Sequence, residues 1–176
     1  MVTSGARGAI EAALHQALEY ETRVEGVYET ALGQATDPVG RRVFETLAQE
    51  ERGHVDYLRD RLETLRATGT LAPGGLTTAI PSKSAIEAGV RKLERELAPR
   101  AALAEADLLR QALAVEVETS AFYKRMVDDL PAEGRAFFEP FSRIEEGHVA
   151  IVQAELDSVT KLGFWFDYKE FDLEVG

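Results

Sequence analysis

ATGTLAPGGLTTAIPSKS, residues 67–84, decides how the rest of the chain folds. Its run of Gly, Pro, Thr and Ser reads as a loop much longer than the turns that join neighbouring helices in a bundle. On its N-terminal side, apolar residues recur at helical period over 10–35, at Leu14, Ala17, Leu18, Val24, Tyr28, Ala31 and Leu32. Asp37-Pro38 supplies an N-cap and a proline suited to the first helical position, and a second stripe runs through Val43, Phe44, Leu47, Leu58, Leu62 and Leu65. The turn between these stripes is short, so the two helices should be antiparallel neighbours. Beyond the loop, a short amphipathic piece covers 85–97 and ends near Pro99. A long helix follows with Leu103, Leu109, Ala112, Leu113, Tyr123, Met126 and Leu130 on its apolar side, and Pro131 breaks it. The last helix carries Phe137, Phe138, Phe141, Ile144, Ile151, Val152 and Leu156, and Pro140 should kink it by removing an interior backbone bond. Two short hairpins flanking one long crossover predict an all-α protein, a four-helix bundle with a short extra helix.

Composition agrees. Leu, Ala, Glu and Arg dominate, Asn is absent, and 176 residues are most simply one domain spanning 1–176. The aromatic and acidic tail at 163–176 should cover one end of the bundle. A formal charge of -11 argues against nucleic acid and against anionic membrane surfaces as partners, while suiting the capture of cations. With no cysteine, disulfides, thiol catalysis and cysteine-ligated metal are excluded, so any metal chemistry must use nitrogen and oxygen ligands. No apolar run approaches the roughly 20 residues of a membrane span, and no signal-peptide layout opens the chain, which predicts a cytoplasmic protein.

The chain also repeats itself. Glu51-Arg52-Gly53-His54-Val55 returns as Glu145-Glu146-Gly147-His148-Val149, a separation of 94, and Ala17–Tyr28 (ALEYETRVEGVY) aligns with Ala112–Tyr123 (ALAVEVETSAFY), a separation of 95. The repeat pairs Glu21 with Glu116, Tyr28 with Tyr123, Glu51 with Glu145 and His54 with His148. Each of these Glu and His residues falls on the apolar stripe of its helix, so six ionisable side chains should point into one core. Burying four carboxylates uncompensated would cost several kcal/mol each, and they would repel one another. Two divalent cations cancel their charge, and neutral imidazoles complete the coordination. A single Glu-x-x-His also decorates solvated helix faces; the duplication, in a chain with three histidines, separates the two readings. His15 has no copy and reads as a surface residue. Glu19, Glu25, Glu50, Glu118 and Glu146 lie off the stripe or at its edge and suit solvated or outer positions. Tyr28 and Tyr123 read as core fillers whose hydroxyls need partners, with a carboxylate hydrogen bond or electron transfer as their functional alternative. Gly53 and Gly147, each beside a histidine, suggest close helix approach or room for a carboxylate to swing.

Two lone Glu and two Glu-x-x-His on four helices are the pattern of the di-iron and di-manganese carboxylate proteins of ferritin-like fold. From about Leu14 to Leu162 the chain resembles the rubrerythrin-type branch of that superfamily. The resemblance implies a ferritin-like bundle that dimerises, with two iron ions held by Glu21, Glu51, His54, Glu116, Glu145 and His148. It implies reduction of hydrogen peroxide or oxygen. The rubredoxin-like cysteine site of full-length rubrerythrins is missing, so the electron donor must be external. The further Glu that rubrerythrins place one turn after the ligand on the third bundle helix is here Thr119, which puts the peroxidase cycle in question more than metal binding. Manganese or a mixed Mn/Fe pair also suits the ligand set, and zinc can substitute. Ferroxidase action with iron storage or delivery, and a metal-free structural bundle, are the competing expectations.

Overall fold

The computed structural model describes residues 4–71, 74–93, 105–161 and 165. Five helices account for most of them: α1 (Ser4–Gln34), α2 (Pro38–Thr68), α3 (Lys83–Leu93), α4 (Ala106–Asp129) and α5 (Ala132–Lys161). No strand occurs among the described residues. The first helix starts six residues before the expected boundary, because the stretch ahead of Ile10 contains no proline to stop it. The α2 boundaries follow the expected chemistry. Asp37 accepts from the backbone N–H of Val39 and Gly40 at 2.7 and 3.1 Å, and Gly69, at φ 74°, closes the far end by donating to Leu65 O. The last helix is continuous through Pro140. The short helix is described as Lys83–Leu93; the remainder of its expected span, to residue 97, and the expected start of the next helix lie outside the described residues.

Cross-helix bonds fix the directions. Arg7 reaches Leu65 O on α2, Glu11 meets Arg66, and Glu25 and Glu29 meet Arg52, so α1 and α2 are antiparallel. Arg23 pairs with Glu118, and Tyr28 and Tyr123 cross to the opposite helix, which makes α1 and α4 antiparallel as well. Hence α2 and α4 run the same way, and the connection between them must travel the length of the bundle. Its two ends confirm this: Gly69 lies beside Arg7 at the start of α1, whereas Glu105 accepts from the N–H of Thr36 and Asp37 in the turn after α1, at 2.6 and 2.8 Å. The other oxygen of Glu105 accepts from Trp165 Nε1 at 2.7 Å. Trp165 packs edge-on against Phe44, with ring centroids 5.3 Å apart, and so covers this end; the remainder of the 163–176 tail lies outside the described residues.

The core divides in two. One apolar cluster, with Val24, Tyr28, Phe44, Leu47, Leu109 and Val152, lies towards the Trp165 end. The other, with Leu14, Leu58, Leu65, Phe122, Phe138 and Phe141, fills the opposite end. Burying such side chains contributes about 1.5–3 kcal/mol each. Expected core positions Leu18, Leu32, Leu113, Met126, Ile144 and Leu156 are only half-buried. Between the two clusters sits a layer of ionisable residues.

Candidate metal centre

All six of Glu21, Glu51, His54, Glu116, Glu145 and His148 are buried, none more than 1% exposed. Each long helix contributes by its spacing: α1 gives Glu21 and α4 gives Glu116, while α2 and α5 each present Glu and His three residues apart on one face. They form two groups whose ligand atoms lie within 4.8 Å of one another, Glu21–Glu51–His54–Glu145 and Glu51–Glu116–Glu145–His148. Glu51 and Glu145 belong to both. Glu21 and His54 are private to the first, and Glu116 and His148 to the second, so the repeat in the sequence becomes a pseudo-twofold arrangement in space.

His54 Nδ1 stands 3.3 Å from Glu21 Oε2 and 3.5 Å from both Glu51 Oε2 and Glu145 Oε1. His148 Nδ1 stands 2.7 Å from Glu51 Oε1 and 3.8 Å from Glu116 Oε1 and Glu145 Oε1. Ligand atoms about 2.1 Å from one ion are about 3 Å apart along an octahedral edge, and these separations bracket that value. Both oxygens of Glu51 and of Glu145, Glu116 Oε2 and His148 Nδ1 are buried without a hydrogen-bond partner among the described residues, the short His148–Glu51 contact included. Orphaned acceptors at this depth are costly unless a cation or proton meets them, so the donor set fits a pair of divalent ions, and these buried groups could hold metal.

Without a cation, protons must do the neutralising. Burial, and then the Glu51 charge, push the Glu21 carboxyl up to about 8 and that of Glu116 up to about 7. Burial and the surrounding carboxylates push Glu145 well above the ordinary range. For Glu51, burial acts upward but His148 and His54 overcome it, holding its carboxyl below the ordinary range. Burial alone would lower both imidazoles; Glu21 for His54 and Glu51 for His148 outweigh it and raise them. In the metal-free site these shifts leave the buried layer sharing protons among carboxylates and imidazoles.

The tyrosines find the partners their burial demands. Tyr28 donates to Glu116 Oε1 and Tyr123 donates to Glu21 Oε1, each crossing between α1 and α4. Burial and the adjacent carboxylates keep both phenols well above their ordinary range, so each stays a donor. Around them the site is closed by apolar rings; Phe141 lies edge-on to His54 and stacks on Tyr123. Thr119 is buried, and its hydroxyl donates to Val115 O at 2.9 Å, so it offers no carboxylate where the resemblance places one.

The acids set aside in the sequence divide. Glu19 is exposed, Glu118 pairs with Arg23, Glu25 with Arg52 and Glu146 with Lys124, all away from the centre. His15 is exposed and meets Arg66. Glu50 differs: one of its oxygens and a ring nitrogen of both His54 and His148 lie within 4.8 Å of one another. Its i, i+4 spacing to His54 was the signal that could have found it. The two glycines also part company. A Cβ on Gly147 would stand 3.1 Å from Pro81 O, so close approach explains it, although by the connecting segment and not by a helix. Gly53 is exposed with nothing within 4 Å of such a Cβ, which overturns the close-approach expectation there. No helix among the described residues is long and apolar enough to cross a membrane. Comparison with protein-family models, with curated proteins and with solved structures returns no match.

Proposed function

We propose that the chain is a ferritin-like, rubrerythrin-type oxidoreductase that holds two iron ions and reduces hydrogen peroxide or oxygen with electrons from an external donor. One observation carries the reading: Glu51 and Glu145 are shared by two otherwise separate ligand groups, which is what a carboxylate-bridged pair requires. In this reading Glu21 and His54 serve one ion and Glu116 and His148 the other. The up-down-down-up run of the long helices, with one connection along the bundle, supports the ferritin-like assignment. Bound iron would supply one electron per ion to cleave the O–O bond of a peroxide.

The chain's own residues set the conditions for that step. Tyr28 and Tyr123 orient the two terminal carboxylates and leave one oxygen of each for metal. The flanking apolar clusters keep bulk water from the layer, which strengthens every electrostatic interaction in it. Thr119 favours a second reading. Lacking the extra carboxylate, the site has no partner for the redox-linked ligand exchange of rubrerythrins, and ferroxidase action on iron for storage or delivery uses the same six ligands.

Protein loaded with Fe(II) without air, then mixed separately with stoichiometric peroxide and with oxygen while the optical spectrum is followed, decides between them. Faster oxidation by peroxide supports the peroxidase. Faster oxidation by oxygen with repeated iron turnover supports ferroxidase action. Elemental analysis finding well under one metal per chain after growth in iron-rich medium would leave a structural bundle and end both readings.

A further inference from the structure

Glu50 borders both histidines of the centre, and the role assigned to it below rests on the proposal that His54 and His148 bind metal. Both imidazoles turn Nδ1 towards the carboxylates of the centre. A neutral imidazole that ligates through Nδ1 carries its proton on Nε2, and a buried Nε2–H needs an acceptor. Both Nε2 atoms are buried and have no hydrogen-bond partner among the described residues. So does Oε2 of Glu50, whose Oε1 is already held by the Ala79 backbone N–H at 2.8 Å. The two rings lie nearly parallel, 9° apart in plane with centroids 5.4 Å apart, and a Glu50 oxygen lies within 4.8 Å of a nitrogen on each. That reach allows a direct bond to either ring after a small rotation, or one bridging water to both.

We propose that Glu50 is the positioning residue for both histidines, a single carboxylate that engages the Nε2–H of His54 and of His148, directly or through one bridging water, and so fixes their Nδ1 lone pairs on the metal pair. The repeat explains why one residue must serve two rings. At the separation of 94 that relates the Glu-x-x-His copies, the counterpart of Glu50 is Ile144, so α5 has no carboxylate at the equivalent position. The connecting segment completes the device. Ala79 grips Glu50 on α2, Ile80 is buried, and Pro81 O backs onto α5 where Gly147 leaves room beside His148. Outer-shell acceptors of this kind orient ligating histidines and raise their basicity.

Zn(II), a closed-shell probe, tests this in protein labelled with 15N-histidine, comparing wild type, Glu50→Gln and Glu50→Ala by NMR and by competition with a metal indicator. Glutamine keeps an oxygen for Ala79 but turns an N–H towards the rings. The expected result is two slowly exchanging imidazole Nε2–H signals in the wild type, shifted or lost in both variants, with Zn(II) affinity weakened about 10–100-fold. A Glu50 that merely anchored the loop would weaken binding in Glu50→Ala and leave Glu50→Gln like wild type; that result, or unchanged signals and affinity in both, overturns the inference alone. Wild-type protein that binds no Zn(II) would overturn the metal reading and this inference together.

Discussion

Sharing makes Glu51 and Glu145 unequal to Glu21 and Glu116, although all four are buried carboxylates. Removing a shared ligand damages both groups, whereas removing a private one leaves the other group intact. Glu51→Ala or Glu145→Ala should therefore bind fewer than about one ion per chain, and Glu21→Ala or Glu116→Ala should keep about one of two, read by metal analysis after gel filtration. The tyrosines make a matched pair of tests. Tyr28→Phe leaves Glu116 Oε1, and Tyr123→Phe leaves Glu21 Oε1, without a donor, a loss of about 1–3 kcal/mol each for a buried acceptor, measurable by urea unfolding of the metal-loaded protein. Costs differing severalfold would mean that the two halves are not equivalent in energy. The six candidate ligands were legible from residue identity and period alone. Glu50 was legible only as an outer acid one turn before His54; that it stands beside both imidazoles depends on rotamers and on the packing of α5, which spacing along one helix does not record.

Glycine placement belongs to the scale of helices and their connections. Gly53 and Gly147 occupy the same position in the repeat but meet different surroundings, so one substitution should have opposite signs. Gly53→Ala, exposed and unobstructed, should stabilise α2 by up to about 1 kcal/mol. Gly147→Ala must push Pro81 O away from a Cβ at 3.1 Å and should destabilise the protein despite its better helix propensity. Thermal unfolding of the two variants checks both, and stabilisation by Gly147→Ala would show that the segment yields freely. At the Trp165 end, Glu105 ties three elements: the turn after α1, the start of α4 and the indole. The hairpin turns and their caps could be read from Asp37-Pro38 and Pro131, being local chemistry. The Glu105 bonds could not, since they join residues 60 to 69 positions apart and exist only once the helices are aligned.

At the scale of the whole molecule, the ionisable layer links folding to pH and to metal. Glu21 and Glu116, raised from 4.5 to about 8 and about 7, and Glu145, raised well above the ordinary range, hold protons in the folded chain that the unfolded chain releases. Their contribution is fully present below about pH 4.5 and is lost as pH rises through the folded values. His54 and His148, raised above 6.5, act in the same direction. Glu51, lowered, acts oppositely, but its contribution is already complete above pH 4.5 and is lost only in acid. Metal-free protein should therefore lose stability between pH 5 and 8. The fall in Tm should be several degrees for a chain this long, since a tenfold difference in proton affinity between the folded and unfolded chain corresponds to about 1.4 kcal/mol. Metal-loaded protein should show the reverse trend, because ligation requires the deprotonated forms and binding tightens as pH rises. Parallel melting curves across this range, with and without Zn(II), check the crossing. Identical pH dependence in both would rule out these six residues as the ligands.

Short-range repetition carries the helical stripes, the capped turns, and the coincidence of four Glu and two His with apolar faces. Those follow from periodicity and local hydrogen bonding, which a linear text records. Helix packing sets which carboxylates are shared, that Tyr28 and Tyr123 reach across to the opposite helix, that Glu50 stands beside both imidazoles, and that Gly53 and Gly147 differ in their surroundings. Each of these depends on how four helices and their connection are set against one another, and that relative placement is fixed by the packing of the whole core.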